Sequence, residues 1–190
     1  MDVLTAIRER RSCRMFLPEP VKDEDVEKII DAATQAPSPL NQQPWQFVVV
    51  AGESGKEAIY KEAVRYKQEL LEKSGWKWLE KYELEFIKSV PVMIVVCGNP
   101  AKSGADTIME GEGHAWRDAC AVAIQNMMLA AEAEDMSTLW FTMYDKENLR
   151  EIIGCDNKSV PVAVVFLGKE AAPSPALPRK CIGDVIRYIR

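Results

Sequence analysis

The sequence predicts an α+β domain: a small mixed or antiparallel sheet packed with helices. Three observations carry that expectation. Strand-length apolar runs at residues 45–51, 90–97, 138–142 and 160–167 are separated by helical patterns of unequal number, not by the one-helix-per-strand alternation of a parallel sheet. Residues 115–134 are apolar on nearly every side of a helical wheel, which marks a buried helix as the spine of the fold. No internal repeat or linker divides the 190 residues, and at roughly 150 residues per domain residues 1–190 form one unit.

The elements follow in chain order. Asp2 is a candidate cap for a short helix carrying Val3, Ala6 and Ile7 on one face, so Arg10 and Arg11 arrive at its end. A second helix starts at Asp23, whose acidic first turn suits the positive helix end; Val26, Ile29, Ile30 and Ala33 form its apolar stripe. Pro37 and Pro44 bracket a loop that leads into a buried strand from Trp45. Ser54 and Glu57 have capping-box spacing for a helix running through Ile59, Ala63, Tyr66 and Leu70 to a stop at Gly75. A more polar helical piece then carries Trp76, Trp78, Tyr82 and Phe86. After the long apolar helix, Asp145 caps a short helix ending at Gly154. Residues 171–178 are rich in proline and alanine and read as an arm that does not fold on itself.

Charge and composition exclude several function classes. With 24 Lys+Arg against 29 Asp+Glu the net charge is −5, so an anionic partner must be held by local basic clusters, and a nucleic-acid role resting on overall charge is excluded. The five cysteines (Cys13, Cys97, Cys120, Cys155, Cys181) are widely spaced, without a CxxC pair, and His114 is the sole histidine; neither a zinc site nor a disulfide framework is indicated. Cys13 and Cys120 read as packing residues and Cys181 as an exposed thiol. No apolar run reaches the roughly 18 residues of a membrane span, and the first residues lack the pattern of a signal peptide. The expectation is a cytoplasmic protein with no membrane and no nucleic-acid partner.

Two stretches could carry chemistry. Arg10-Arg11-Ser12-Cys13-Arg14 gathers three guanidinium groups and a hydroxyl; if extended, its period of two puts Arg10, Ser12 and Arg14 on one side, with forked donors suited to a phosphate or a ring carbonyl. An isolated arginine cluster is ordinarily a solvated basic turn, and the same holds for Arg179-Lys180. The loop from Ala36 to Trp45 holds Ser38, Asn41, Gln42 and Gln43 rigid between prolines, as recognition of a flat heterocycle edge requires, although a well-made turn explains it equally. There is no GxxxxGK[ST] and no GxGxxG. His114, in the stretch from Gly111, lies near no hydrolase signature and reads as a helix-start residue. A bound cofactor is then the expected carrier of the chemistry.

Ala6-Ile7-x-x-Arg10-Arg11-Ser12-x-Arg14-x-Phe16, followed by Ala36-Pro37-Ser38-x-x-Asn41-x-Gln43-Pro44-Trp45, resembles the nitroreductase family of FMN-dependent oxidoreductases. The resemblance continues through Asp118-Ala119, Gln125-Asn126, Gly168 and Pro178-Arg179, and so spans nearly the whole chain. It implies a nitroreductase-like homodimer that exchanges its arms and holds FMN at the subunit interface. It places Arg10, Arg11, Ser12 and Arg14 on FMN phosphate, ribityl and ring atoms, with Arg179 on the phosphate. Pro37, Ser38 and Asn41 lie against the ring from the other subunit. Trp140-Phe141-Thr142 matches the strand end that donates toward flavin N5, making Phe141 and Thr142 cofactor residues together with Gly168. Where the family often has Gly-Leu-Gly after the buried helix, this chain has Glu134-Asp135-Met136-Ser137 and must turn without glycine.

The implied activity is reduction of an electron-poor small aromatic acceptor, a nitroaromatic or quinone, with NADH or NADPH as reductant in a ping-pong cycle. No catalytic acid–base side chain and no metal ligand is assigned. The same scaffold leaves open a reductive dehalogenase, a flavin-destroying enzyme, or a non-catalytic flavin-binding protein. Trp76, Trp78 and Tyr82 are candidates either for stacking on substrate or for dimer packing.

Overall fold

The computed structural model describes residues 1–109 and 113–190. Six helices and four strands succeed one another as α1 (Val3–Glu9), α2 (Asp23–Thr34), β1 (Trp45–Val50), α3 (Glu53–Ser74), β2 (Val92–Gly98), α4 (Asp106–Met109), α5 (Ala115–Ala133), β3 (Ser137–Phe141), α6 (Lys146–Ile153) and β4 (Val160–Gly168). The strands form one antiparallel sheet in the order β1-β2-β4-β3. This is the α+β arrangement that the unequal helix count predicts. The short helix α4 has no counterpart in the sequence pattern, and Gly111 and Glu112, in the stretch that leads to His114, lie outside the described residues.

The two central strands explain their unbroken apolar runs, because each face of the sheet is covered. On β2, Val92, Ile94 and Val96 join the core under α2 and α5, while Met93, Val95 and Cys97 join the second core under α3 and α6. On β4, Val165 and Leu167 face the first core and Val164 and Phe166 the second. The pairing slips between Val96, opposite Ala163, and Cys97, opposite Pro161; Val162 is the additional residue of the bulge, and it turns into the first core beside Ala163.

Several local expectations are corrected. β1 is an edge strand with exposed Gln46 and Val49, not a buried one. The Ser54–Glu57 capping box does not form: β1 ends at Val50, so α3 must start at once, with Gly52 at its N-cap position and Glu53 already helical. The aromatic piece after Gly75 is two separate 3-10 turns, Lys77–Leu79 and Glu85–Ser89, with Leu79, Leu84 and Ile87 buried as its anchors. The helix α5 is not buried on most faces. Arg117, Asp118, Val122 and Gln125 form an open stripe. The turn without glycine is made by Asp135, which takes φ 57 while the Met136 N–H closes on the Ala131 carbonyl at 2.9 Å.

The caps behave as the sequence indicates. Asp2 accepts the Leu4 and Thr5 N–H groups, Asp145 accepts those of Glu147 and Asn148, and Gly75 and Gly154 end their helices at φ 64 and 63. His114 is the helix-start residue of α5. A buried carboxylate ties α3 to α6: Glu62 accepts from the Asp145 N–H at 2.8 Å and Asn148 Nδ2 at 3.1 Å, and pairs with Arg65 through two 2.8 Å bonds.

Candidate functional site

Beyond α1 the chain runs extended, as the alternation requires. The Cys13 N–H donates to the Thr138 carbonyl at 3.0 Å beside β3, and Phe16 bridges Glu170 past the end of β4. Cys13 and Phe16 point into the core, which leaves Ser12 and Arg14 exposed. Arg10 is half-buried and donates to the Arg11 carbonyl at 3.1 Å. Burial holds its guanidinium below the ordinary arginine value; the Arg179 and Arg11 charges press the same way, and Glu132 opposes them. The Arg179 charge thus acts on Arg10. None of Arg10, Arg11, Arg14 and Arg179 is within ion-pair distance of a carboxylate among the described residues. Glu132 is the carboxylate whose charge reaches Arg10 and Arg11, and a group of guanidinium donors that stays short of ion pairing suits a dianionic phosphate.

Arg14 leaves this group and joins the other part of the site. Its Nε donates to the Tyr82 hydroxyl at 3.2 Å, on the wall of a cavity of about 190 Å³ lined by Trp78, Trp140, Thr142 and Met143. A second cavity of about 290 Å³ shares Trp140 and Thr142 and is closed by His114, Arg117 and Asp118 from the open stripe of α5. Trp78 is 55% exposed and stands 5.9 Å from Tyr82, edge to face. An apolar, aromatic-lined space with a hydroxyl and a guanidinium at its margin suits a flat conjugated ring.

The proline-bracketed loop holds uncommon backbone. Leu40, Asn41 and Gln43 have φ of 50, 54 and 46, and Leu40 is 79% exposed. Each such residue costs on the order of 1 kcal/mol, so this shape persists only because its surroundings impose it. Ser38 Oγ accepts the Gln43 N–H at 3.0 Å, and Asn41 Oδ1 accepts from Gln43 Nε2 at 3.3 Å. The polar groups of the loop are therefore fixed in place without net charge.

The structure brings some of the sequence-predicted residues together and separates others. The Arg11 and Arg179 charges act on Arg10, with Glu132 opposing them; Ser12 lies beside Arg14, whose Nη1 donates to the Ser12 carbonyl at 3.2 Å. Thr142 faces open space at the end of β3, while the Phe141 ring is stacked on Phe166 at 5.0 Å in the core, which leaves its backbone for the site. Gly168 is not on this surface. A Cβ there would stand 2.6 Å from Pro91 and 3.3 Å from Phe16, so the glycine serves close packing. Pro37, Ser38 and Asn41 precede β1, the edge strand opposite β3; three strand spacings of ~4.8 Å put about 14 Å between those two strands, and the turn Pro39–Asn41 also packs against α5. The α5 stripe is the part that sequence reasoning missed, since its residues sit inside an otherwise apolar helical pattern.

With this geometry in hand, comparison with known proteins identifies the family. The model of the Nitroreductase family matches residues 7–169. A Methanothermobacter thermautotrophicus protein provisionally named NADH dehydrogenase/NAD(P)H nitroreductase is 31% identical over 175 residues, covering 90% of this chain and 78% of the relative. An iodotyrosine deiodinase of Thermotoga neapolitana is 22% identical over 188 residues, covering 95% and 94% of the two chains. Among solved structures, oxidized iodotyrosine deiodinase bound to FMN and 3-iodo-L-tyrosine superposes over 100% of both chains with a TM-score of 0.84 at 20% identity, which speaks for the shared fold. The basic segment, the proline loop and the match over residues 7–169 have one common source: the chain belongs to the nitroreductase family.

Proposed function

We propose that this chain is an FMN-dependent oxidoreductase that draws reducing equivalents from NADH or NADPH and delivers them to an electron-poor aromatic acceptor such as a nitroaromatic or a quinone. The observation that carries the reading is the aromatic-lined cavity that Arg14 and Thr142 border, next along the chain from a basic group of Arg10, Arg11 and Arg179 in which the Arg11 and Arg179 charges act on Arg10. Those three would hold the phosphate, with Ser12 and Arg14 following along the cofactor; Thr142 and the Phe141 backbone would supply hydrogen bonds to the ring edge. When bound, FMN supplies a two-electron carrier that accepts hydride from the reduced nicotinamide and passes electrons to the acceptor. Trp78 and Tyr82 border the open side, where they exclude water and offer stacking surface to a flat acceptor. Arg14, held by Tyr82, keeps a positive charge beside that space, which favours the electron-rich reduced state.

The site is completed by a second copy of the chain. The loop carrying Ser38 and Asn41 leads into β1 and the arginine segment lies beside β3, the two edge strands, and the resemblance has one flat ring meet both across a subunit interface. Exposed Val3, Leu4 and Ile7 on α1 and Val122 on α5 supply an apolar face for such a partner. The tail beyond residue 170 exposes Ile182, Val185, Ile186 and Ile189 at helical spacing, as an arm reaching a partner would.

Anaerobic mixing of the FMN-loaded protein with NADH or NADPH tests the reading. Loss of the oxidized flavin absorbance, followed by its return on adding a nitroaromatic or quinone, is expected. A flavin left oxidized by both nicotinamides would contradict it.

A further inference from the structure

We propose that Gln42 is a positioning residue: by latching the loop 38–43 to the segment 99–104 it holds Ser38 and Asn41 in the orientation that meets the cofactor. This rests on the FMN reading above. The resemblance assigns roles to Pro37, Ser38 and Asn41 and none to Gln42 or to the segment beyond β2.

Three successive loop residues are tied to that segment. The Pro44 carbonyl accepts the Asn99 N–H at 2.9 Å, the Gln43 carbonyl accepts from Lys102 Nζ at 3.3 Å, and Gln42 Oε1 accepts the Gly104 N–H at 3.0 Å. The segment is itself anchored. Fully buried Ser103 donates to the Pro100 carbonyl and accepts the Trp116 N–H in the first turn of α5 at 3.3 Å. The fit around the Gln42 contact is close. Gly104 has φ +60, and a Cβ on it would stand 2.8 Å from Pro39 Cβ. Gly104 therefore admits the loop while offering its N–H to Gln42.

The need for a latch lies in the backbone. With Leu40, Asn41 and Gln43 all at positive φ, the relaxed alternative for this loop is a return to negative φ, which would turn Asn41 and the exposed Leu40 away from their present directions. The contacts inside the loop, Ser38 with Gln43 and Asn41 with Gln43, link it to itself only. Gln42 is the side chain that links it to the segment anchored on α5. Its half-buried amide is also shielded enough for the bond to hold against water.

The test uses full-length protein as three chains: wild type, Gln42→Leu, which keeps bulk and removes the acceptor, and Gln42→Glu, which restores an acceptor for the Gly104 N–H. FMN dissociation constants are measured by flavin fluorescence, and hydrogen exchange is followed at the Gly104 amide before FMN is added. Gln42→Leu should weaken FMN binding tenfold or more, accelerate Gly104 exchange, and leave global unfolding of the FMN-free protein close to wild type. Gln42→Glu should recover most of the affinity and the protection. Wild-type FMN affinity in Gln42→Leu, or failure of Gln42→Glu to recover either readout, would overturn the latch while leaving the FMN reading in place. A wild type that takes up no FMN would instead remove the FMN reading, and the latch with it.

Discussion

At the scale of single residues, the arginines divide the labour that the sequence placed in one cluster. The exposure of Ser12 and Arg14 about a buried Cys13 was legible, because an extended chain leaving a capped helix alternates its faces; that alternation stops at Met15, exposed beside buried Phe16. The separation of Arg14 from Arg10 was not, since it depends on Tyr82, a residue 68 positions away. If Arg10 holds the phosphate as proposed, Arg10→Ala should weaken FMN binding by about 1.5–3 kcal/mol, roughly ten- to hundredfold in Kd by titration. Unchanged affinity would take Arg10 out of the site. Glu62 offers a pH test of the fold itself. Burial raises its carboxyl, but the bonds from Arg65, the Asp145 N–H and Asn148 outweigh burial and hold it below the ordinary carboxylate range. A lowered folded pKa stabilises fully above the unfolded value of about 4.3, and that stability disappears as pH falls through the folded value. Glu62→Gln should therefore cost about 1–2 kcal/mol near pH 7, discounted because Arg65 is 45% exposed, and progressively less below pH 4. Denaturant titrations at neutral and acid pH check it; a gap independent of pH would contradict the assignment.

At the scale of elements, what was legible followed from period and caps. The continuous apolar runs of β2 and β4 announce coverage on both faces, and Asp2, Asp145, Gly75 and Gly154 mark helix ends by side-chain chemistry or by freedom at positive φ. What failed depended on connection length and on partners. The Ser54–Glu57 box lost to a two-residue link from β1, and the aromatic stretch after Gly75 broke into two turns, with its three apolar anchors buried. Gly168 illustrates an ambiguity that a motif cannot resolve: a glycine kept for close packing against Pro91 reads the same as one kept for a cofactor. The turn after α5 gives a clean test. Asp135 sits at φ 57 without glycine, so Asp135→Gly should raise stability by up to about 1 kcal/mol in chemical denaturation. A loss of stability would mean that the Asp135 side chain holds the turn in a way its φ does not reveal.

At the scale of the whole molecule, the proline loop and the arginine segment adjoin the two edge strands of one sheet, and α1, α5 and the tail each carry exposed apolar residues. We propose that a second copy covers these residues, an expectation that the sequence carries only by resemblance, since the exposed stripe of α5 is hidden within an apolar helical pattern. Deleting residues 171–190 removes the arm and Arg179 together. The truncated chain should sediment as a monomer and release FMN, whereas a truncated dimer that retains FMN would show that the arm and the late arginine are dispensable. One measurement bears most directly on the central claim that these arginines and this loop enclose a flavin. It is the visible absorption spectrum of the purified protein, with identification of whatever heat denaturation releases into the supernatant. A flavin spectrum and released FMN are expected. A colourless protein that also takes up no added FMN would contradict the claim.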